Sequence, residues 1–553
     1  MILPCGPCPT TIMLIGDIPS PDDSRVGQPF SGSIGHALST MLQEAGISRS
    51  QCFITHVILQ TCGQVDSLIA LKKIDVTPSH VPFRDKMVKP VIIQAAARLE
   101  EEIRRCNPVL IITLGDLPLW LLTGNWSSMD WRGSTLQGTL YSGMPKVLAA
   151  VHPAKVLKQW PLRAPMVQDF RRALRESTFR EVRPTGYVFT IRPSFTAVID
   201  QLVRLESIAS SKQGGEMLKL AVDIETRNWH ISCLGIAWSD KEALCIPFIS
   251  LQSSTGYWNA AEEPIIIYHL YRLLTHRAVL VVGQNYIFDQ QYIHRYWHFI
   301  SPNVRDTMVA QHVCFPGMSK SLDFIASLYC DNYRYWKGDG KIWDGADEDA
   351  NWTYNCEDCV RTYEADTVLQ GIVDALGIRA PHDFQQSLFH PVLTTMIRGV
   401  RIDEAAQKHL ITELRAAQKE RLDWLTSSIG YPINIKSPKQ VAELFYRDLG
   451  QNPYHSRTTG GETTNSESLE KVAVREPILR PIVRAIEELR SIGIFLSTFL
   501  GERTGKWTRS FLDSDGRIRC SYNVAGTVTF RFASGESAFG HGTNLQNIPK
   551  GEE

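Results

Sequence analysis

Two carboxylates, Asp223 and Glu225, follow the apolar run 218–222. Side chains of a strand alternate with period two, so both acids project from one face. A third acid, Asp289, opens a helix-like run after a second apolar stretch at 278–282. The fourth, Asp358, lies four residues after Tyr354, a spacing that puts phenol and carboxylate on the same side of a helix. Four acids can hold two divalent cations, hard ions that take oxygen ligands. Phosphodiester hydrolysis needs such a site: two cations ~4 Å apart activate the attacking water and stabilise the leaving oxygen, while a phenol can orient the nucleophile.

The elements that must position these groups belong to a long chain. At 553 residues it is long enough for about three or four domains, each with its own core. Hydrophobic residues make up 43% and charged residues 21%, with 58 Lys plus Arg against 58 Asp plus Glu, which excludes disordered, collagenous and coiled-coil classes. No window reaches the ~18 apolar residues of a membrane helix, and the N-terminus lacks a signal-peptide pattern, so a cytoplasmic protein without a membrane partner is expected. Zero net charge leaves nucleic-acid binding open, because a basic face is readily offset by acidic surface elsewhere. The 12 cysteines are thinly spread and read as reduced thiols. Neither Cys5-x-x-Cys8 nor Cys356-x-x-Cys359 has a partner pair at finger-like spacing, so zinc is not expected. P-loop and HExxH patterns are absent from the sequence.

Punctuation divides the chain. A helix-like run at 167–174 gives way to turn-rich residues 183–186. Strand-like segments at 187–191, 218–222, 230–238, 243–248 and 278–282 then alternate with helix-like ones at 195–210, 263–274 and 322–329, as in an α/β domain. From about residue 384 helix-like stretches dominate (404–427, 438–449, 477–499), and 516–549 is extended and turn-rich.

The order Asp223-x-Glu225, Asn285-x-x-Phe288-Asp289, Tyr354-x-x-x-Asp358 resembles the three motifs of 3'-5' proofreading exonucleases with the ribonuclease-H-like fold. Arg305-Asp306-Thr307-Met308 and residues 320–326 also fit that pattern. The resemblance implies that Asp223, Glu225, Asp289 and Asp358 ligate two Mg2+ or Mn2+ ions and that Tyr354 positions the water, with Glu357 a bystander. Downstream, residues 396–403, 433–441, 516–519, 527–534 and 544–549 resemble the polymerase region of family A DNA polymerases, from the thumb into the palm. By carry-over, Arg531 would contact the primer terminus in the minor groove, and Asn544 and Gln546 the template side. Phe530 stands where that family usually has Gly. Only four residues follow Pro549. The remaining palm acids and the fingers are therefore expected on a second polypeptide, a truncated chain being the alternative, and synthesis by this chain alone is not expected.

Upstream, residues 13–19, 26–32, 52–57, 109–115 and His152-Pro153 resemble the uracil-DNA glycosylase superfamily. That resemblance makes Phe30 the ring that stacks a flipped base and His152 the loop histidine. Asp17 stands where the iron-sulfur members have Glu, and His56 where they have the Asn that reads uracil. Cys5, Cys8 and Cys62 lack a fourth ligand, Cys106 reading as a core thiol, so an iron-sulfur cluster is not expected. The module reads as degenerate, used for DNA or partner contact, with uracil excision as the alternative.

The expected architecture is α/β and multidomain: a glycosylase-like α/β domain at 1–180, a ribonuclease-H-like exonuclease at 186–380, and a mainly helical thumb with partial palm at 384–553. The three units together resemble those of large-phage polymerases. The expected function is the proofreading part of such a polymerase acting on primer-template and single-stranded 3' ends. A stand-alone nuclease for repair or degradation and a non-catalytic DNA-binding scaffold are the alternatives.

Overall fold

The computed structural model describes residues 2–60, 65–338, 347–456, 460–501 and 512–548; Cys62 and Pro549 lie outside them. Among the described residues no helix is long and apolar enough to cross a membrane. The chain forms two compact units, Met1–Ser387 and Leu388–Glu553.

The first unit contains two large sheets. In one, β1 (Ile12–Gly16), β2 (Cys52–His56), β3 (Leu110–Leu114), β4 (Thr135–Leu136) and β5 (Lys146–Ala150) lie in the order β2-β1-β3-β5-β4, parallel except for β4. Every residue of β1, β2, β3 and β5 is buried, as expected of parallel strands covered on both faces. Helix α1 (Arg163–Glu176) closes this region.

The second sheet comprises β6 (Val188–Thr190), β7 (Leu218–Arg227), β8 (His230–Ala237), β9 (Glu242–Pro247), β10 (Val279–Gly283) and β11 (Val304–Asp306), in the order β11-β10-β7-β8-β9-β6. The apolar run at 218–222 predicts a strand ending before Asp223, but β7 continues to Arg227 because its antiparallel pairing with β8 carries the ladder on. Asp223 and Glu225 are thus held in a strand, opposite Gly235 and Cys233, and the register slips only after Glu225. Four helices complete the region: α2 (Ile287–Trp297), α3 (Thr307–Cys314), α4 (Leu322–Tyr329) and the 28-residue α5 (Glu348–Ala375).

Helix α5 is buried without a break from Asn355 to Thr362 because it is covered on two sides. One side packs Trp352, Cys356, Cys359 and Val360 on Ala221, Cys233, Ala237 and Cys245 of the sheet. The other packs Ala365 and Leu369 with Tyr333, Trp336, Leu322 and Ile325. Small residues on the sheet let the helix approach closely: a Cβ at Gly235 would lie 2.5 Å from the Asn355 Oδ1 and 2.7 Å from the Cys359 Sγ. Cys356 and Cys359 are core thiols, as their sequence predicts.

In the second unit, α6 (Glu404–Ile429), α7 (Ser466–Arg475) and α8 (Arg480–Ile494) enclose a core of Leu425, Phe445, Leu469, Val472, Val483, Ile486 and Leu489. The extended tail forms short antiparallel pairs, Val400–Arg401 with Arg517–Ile518 and Cys520–Asn523 with Ala533–Glu536. Phe530, which stands in place of the family's Gly, has φ 61°, a left-handed conformation that costs a side chain roughly 1–2 kcal/mol. The greater freedom of an unfolded glycine offsets part of that cost. Phe530→Gly is expected to stabilise this unit by up to about 1 kcal/mol, read as a shift in its urea midpoint.

Candidate active site

Asp223, Glu225 and Asp358 each offer an oxygen within 4.8 Å of the others, from two adjacent outward positions of β7 and one turn of α5. Asp289, in the first turn of α2, is buried beside them, and its Oδ1 accepts from the Ile224 backbone N–H at 2.9 Å. The structure thus brings three of the four acids into one cluster and turns an oxygen of the fourth to the backbone between the first two. The approach to Asp289 is built by Asp306, whose carboxylate accepts from the N–H groups of Asn285, Tyr286 and Met308 at 2.9–3.0 Å. Asn285 itself takes φ 56°, which lets the chain turn sharply from β10 into α2.

Sequence reasoning missed three residues of this site. Asn355 donates to the backbone and side-chain oxygens of Asp223 at 3.2 and 2.8 Å, tying α5 to β7. Trp336 Nε1 donates to Asp358 Oδ1 at 2.5 Å, while Lys337 Nζ donates to Asp358 Oδ2 at 2.5 Å and to the Tyr354 hydroxyl at 2.6 Å. The aromatic and basic run 333–337 was the available signal, but no periodicity aims it at an acid. Glu357 points elsewhere and pairs with Arg361 at 3.3 Å, consistent with a bystander.

Burial and mutual repulsion dominate the electrostatics. Burial, then Asp358, Asp289 and Glu225, pushes the Asp223 carboxyl well above the usual range, and burial with Asp358 pushes Glu225 up to about 7. Asp289 is likewise raised, chiefly by burial. Burial and the Asp358 charge raise the Tyr354 phenol. Although burial opposes its charge, Lys337 is held protonated by Asp358 and Tyr354. Acids that repel one another across less than 5 Å fit a divalent cation: the donors are hard oxygens, and a bound ion would discharge the cluster. Asp223, Glu225 and Asp358 would hold it, and it would supply water activation and leaving-group stabilisation.

A second cluster sits at the ends of β1 and β2. Phe30, with φ 51°, packs its ring 4.6 Å from His56 and 5.8 Å from His152. Its backbone turn is clamped by Arg49, which donates to the Pro29, Phe30 and Gly35 carbonyls. A Cβ at Gly16 would strike both the Phe30 and His56 rings, so the strand end must be glycine. His56 Nε2 lies 3.4 Å from Asp23 Oδ2, a buried pair whose acid member the sequence reading did not single out. Asp17 accepts from the Leu117 N–H at 3.0 Å, and burial raises its carboxyl to about 7. Cys8 and Cys106 bring their sulfurs within 2.7 Å.

Burial and then the neighbouring His56 lower His152 from 6.5 to about 4. A histidine kept neutral in the fold stabilises it fully above the unfolded pKa of about 6.5, and that stability is lost as pH falls towards 4. His152 also caps the helix Pro153–Lys158 by accepting from the Ala154 N–H. His152→Asn keeps a capping oxygen but does not titrate. Between pH 7 and 4.5 the native chain should lose about 2–3 kcal/mol more of local stability than the variant, read by hydrogen exchange of this module in urea.

In the polymerase-like segment, Asn544 Oδ1 accepts from Ser534 Oγ and, at 3.0 Å, from the Gln546 N–H, joining residues 527–534 to 544–548. Arg531 and Gln546 are exposed.

Comparison with known proteins matches three families in succession. Residues 4–176 match the uracil DNA glycosylase superfamily, 196–370 the 3'-5' exonuclease family and 404–553 DNA polymerase family A. Among curated proteins, DNA polymerase I of Rhizobium leguminosarum is 27% identical over 286 residues, 50% of this chain and 27% of that one. DNA polymerase I of Bacillus subtilis (strain 168) is 34% identical over 151 residues, 27% of this chain and 16% of that one. A solved structure, the POL domain of Pol1 from M. smegmatis in complex with DNA primer-template and dNTP, is 20% identical with a TM-score of 0.45, covering 63% of this chain and 55% of that one. The chain therefore spans well under a third of the length of these two curated relatives.

Proposed function

We propose that this chain, which carries the 3'-5' exonuclease domain and part of the polymerase domain of a family A DNA polymerase behind a uracil DNA glycosylase-like region, trims DNA 3' ends in a metal-dependent proofreading reaction. The observation that carries this reading is the convergence of Asp223, Glu225 and Asp358 within 4.8 Å in a region matching the exonuclease family. Asp289 joins them as the fourth acid, two Mg2+ or Mn2+ ions are the cofactor, and Tyr354 places the water. Asn355 fixes Asp223, while Trp336 and Lys337 orient Asp358 and Tyr354.

In the second unit Arg531, Asn544 and Gln546 contact primer-template. Nucleotide addition requires palm acids and fingers that these 553 residues do not supply, and a second polypeptide of a split, phage-type polymerase would bring them. The glycosylase-like pocket is degenerate for uracil excision, since the family's Asn is replaced by His56, itself engaged with Phe30 and Asp23. The protein acts in the cytoplasm of its cell or host.

A gel assay with a 5'-labelled primer-template and Mg2+, with and without the four dNTPs, tests this. Shortening that dNTPs do not convert into extension is expected. Extension by this chain alone would refute the need for a second polypeptide, and an unchanged primer would refute the exonuclease.

A further inference from the structure

We infer that the glycosylase-like region is a working part of the exonuclease site: it clamps the segment 327–337 so that Trp336 and Lys337 reach Asp358 and Tyr354, which makes Lys337 a positioning residue for 3'-end trimming. This rests on the exonuclease reading above.

The clamp is built of buried, charged and committed groups. Arg132 and Arg172 are 2% and 3% exposed, and Asp169 beside them is fully buried. Arg132 grips both oxygens of Asp169 at 3.0 and 2.7 Å and sends its remaining nitrogen across to the Ser327 hydroxyl at 2.5 Å. Arg172 donates to the carbonyls of Ser327 at 2.9 Å and Cys330 at 2.8 Å. Both lie at the C-terminal end of α4, where backbone carbonyls have no intrahelical partner and the helix dipole is negative. Two guanidiniums around one carboxylate leave an excess positive charge in a dry junction, and the exonuclease-side carbonyls and hydroxyl are what satisfy it.

Beyond α4 the grip continues residue by residue. Thr135 N–H donates to the Tyr333 carbonyl at 3.3 Å, the Tyr335 N–H donates to Ser134 Oγ at 2.9 Å, and the Trp131 ring packs edge-on to Tyr335 at 5.3 Å. The next residue is Trp336, 1% exposed, whose indole donates to Asp358. Lys337 follows, bridging Asp358 and Tyr354. Each Asp358 oxygen therefore takes one donor from this segment and keeps a lone pair for a cation. The orientation of a carboxylate central to the site is thus set by a backbone whose course is held from the other sheet. A passive junction between domains would not need donors on the peptides immediately before the residues that touch the acids.

The test uses the full chain carrying Lys337→Met, Lys337→Arg, Arg172→Met, the Arg172→Met/Lys337→Met double, and the gentler Ser134→Ala. Hydrogen exchange of residues 327–337 is followed in EDTA, and trimming of a 5'-labelled single strand is measured with Mg2+. Lys337→Met should lower kcat by ~10–100-fold at unchanged KM, as for other groups that orient metal ligands, and Lys337→Arg should restore most of it. Arg172→Met and Ser134→Ala should speed exchange of the segment and lower kcat, and the double variant should be no slower than Lys337→Met alone. Native kcat in Ser134→Ala or Arg172→Met despite faster exchange would overturn the proposal, as would native kcat in Lys337→Met. Loss of trimming in Asp223→Ala under the same conditions separates such a failure from a failure of the exonuclease reading itself, in which Asp223→Ala would trim normally. Should Arg172→Met not fold, Ser134→Ala alone decides the clamp.

Discussion

Asp223→Ala is expected to lower metal-dependent trimming by on the order of 10^3-fold or more while leaving DNA binding intact, because it removes an acid that must face the cations and leaves the second unit untouched. The same change should have an opposite effect on stability. Burial and the neighbouring Asp358, Asp289 and Glu225 raise the Asp223 carboxyl well above its unfolded value. For an acid raised in the folded state, ionisation costs stability as pH rises above the unfolded pKa of about 3.9. In EDTA at pH 8 the Asp223→Ala and Asp223→Asn proteins should therefore melt above the native chain. Mg2+ should raise the melting temperature of the native chain and have little effect on either variant. Scanning calorimetry with and without Mg2+, beside the trimming assay, checks both halves. Mg2+-dependent digestion retained in Asp223→Ala would show that the site is misassigned.

Asp306→Ala should be the most damaging change to the fold of this region. Its carboxylate is 3% exposed and satisfies three backbone N–H groups at 2.9–3.0 Å, two of which, at Asn285 and Tyr286, shape the turn that delivers Asp289. Each buried N–H left without an acceptor costs about 1–3 kcal/mol, and partial repair by water brings the expected total to about 3–5 kcal/mol, a large share of a domain's stability. Exchange of residues 283–297 should accelerate, and trimming should fall with it because Asp289 loses its anchored approach. Asp306→Asn keeps one acceptor oxygen and should recover about half the loss. If Asp306→Ala left the exchange of 283–297 unchanged, the turn would owe its form to the α2 packing instead.

Much of the acid site was legible in the sequence because the relevant signals are local. Asp223 and Glu225 share a face by strand alternation, and Tyr354 and Asp358 by helical spacing; both pairs meet their targets. The α/β alternation from 187 to 329 also corresponds to observed strands and helices, with ends moved by a residue or two where ladders or caps extend them. The apolar run 218–222 understated β7, since continuation to Arg227 depends on β8, a partner that hydropathy of the strand itself does not report. Asn355 escaped notice because its role requires Gly235 opposite, a contact between residues 120 positions apart in sequence. Asp23 reads as the acid of a helix-capping box with Ser20, which it is; its second partner, His56, comes from another strand.

What the sequence by itself determined is the set of acids, the elements that bear them and their order along the chain, since periodicity and residue type encode which face a side chain occupies. Tertiary structure alone decided that Asp289 turns an oxygen to the Ile224 N–H while the other three acids converge, and that Lys337 and Trp336 close on Asp358. The segment bearing them has no repeat of its own to fix its course. Its path is set by donors such as Arg132, 195 residues from Ser327 in sequence, and contacts of that range exist only once both sheets are folded and packed.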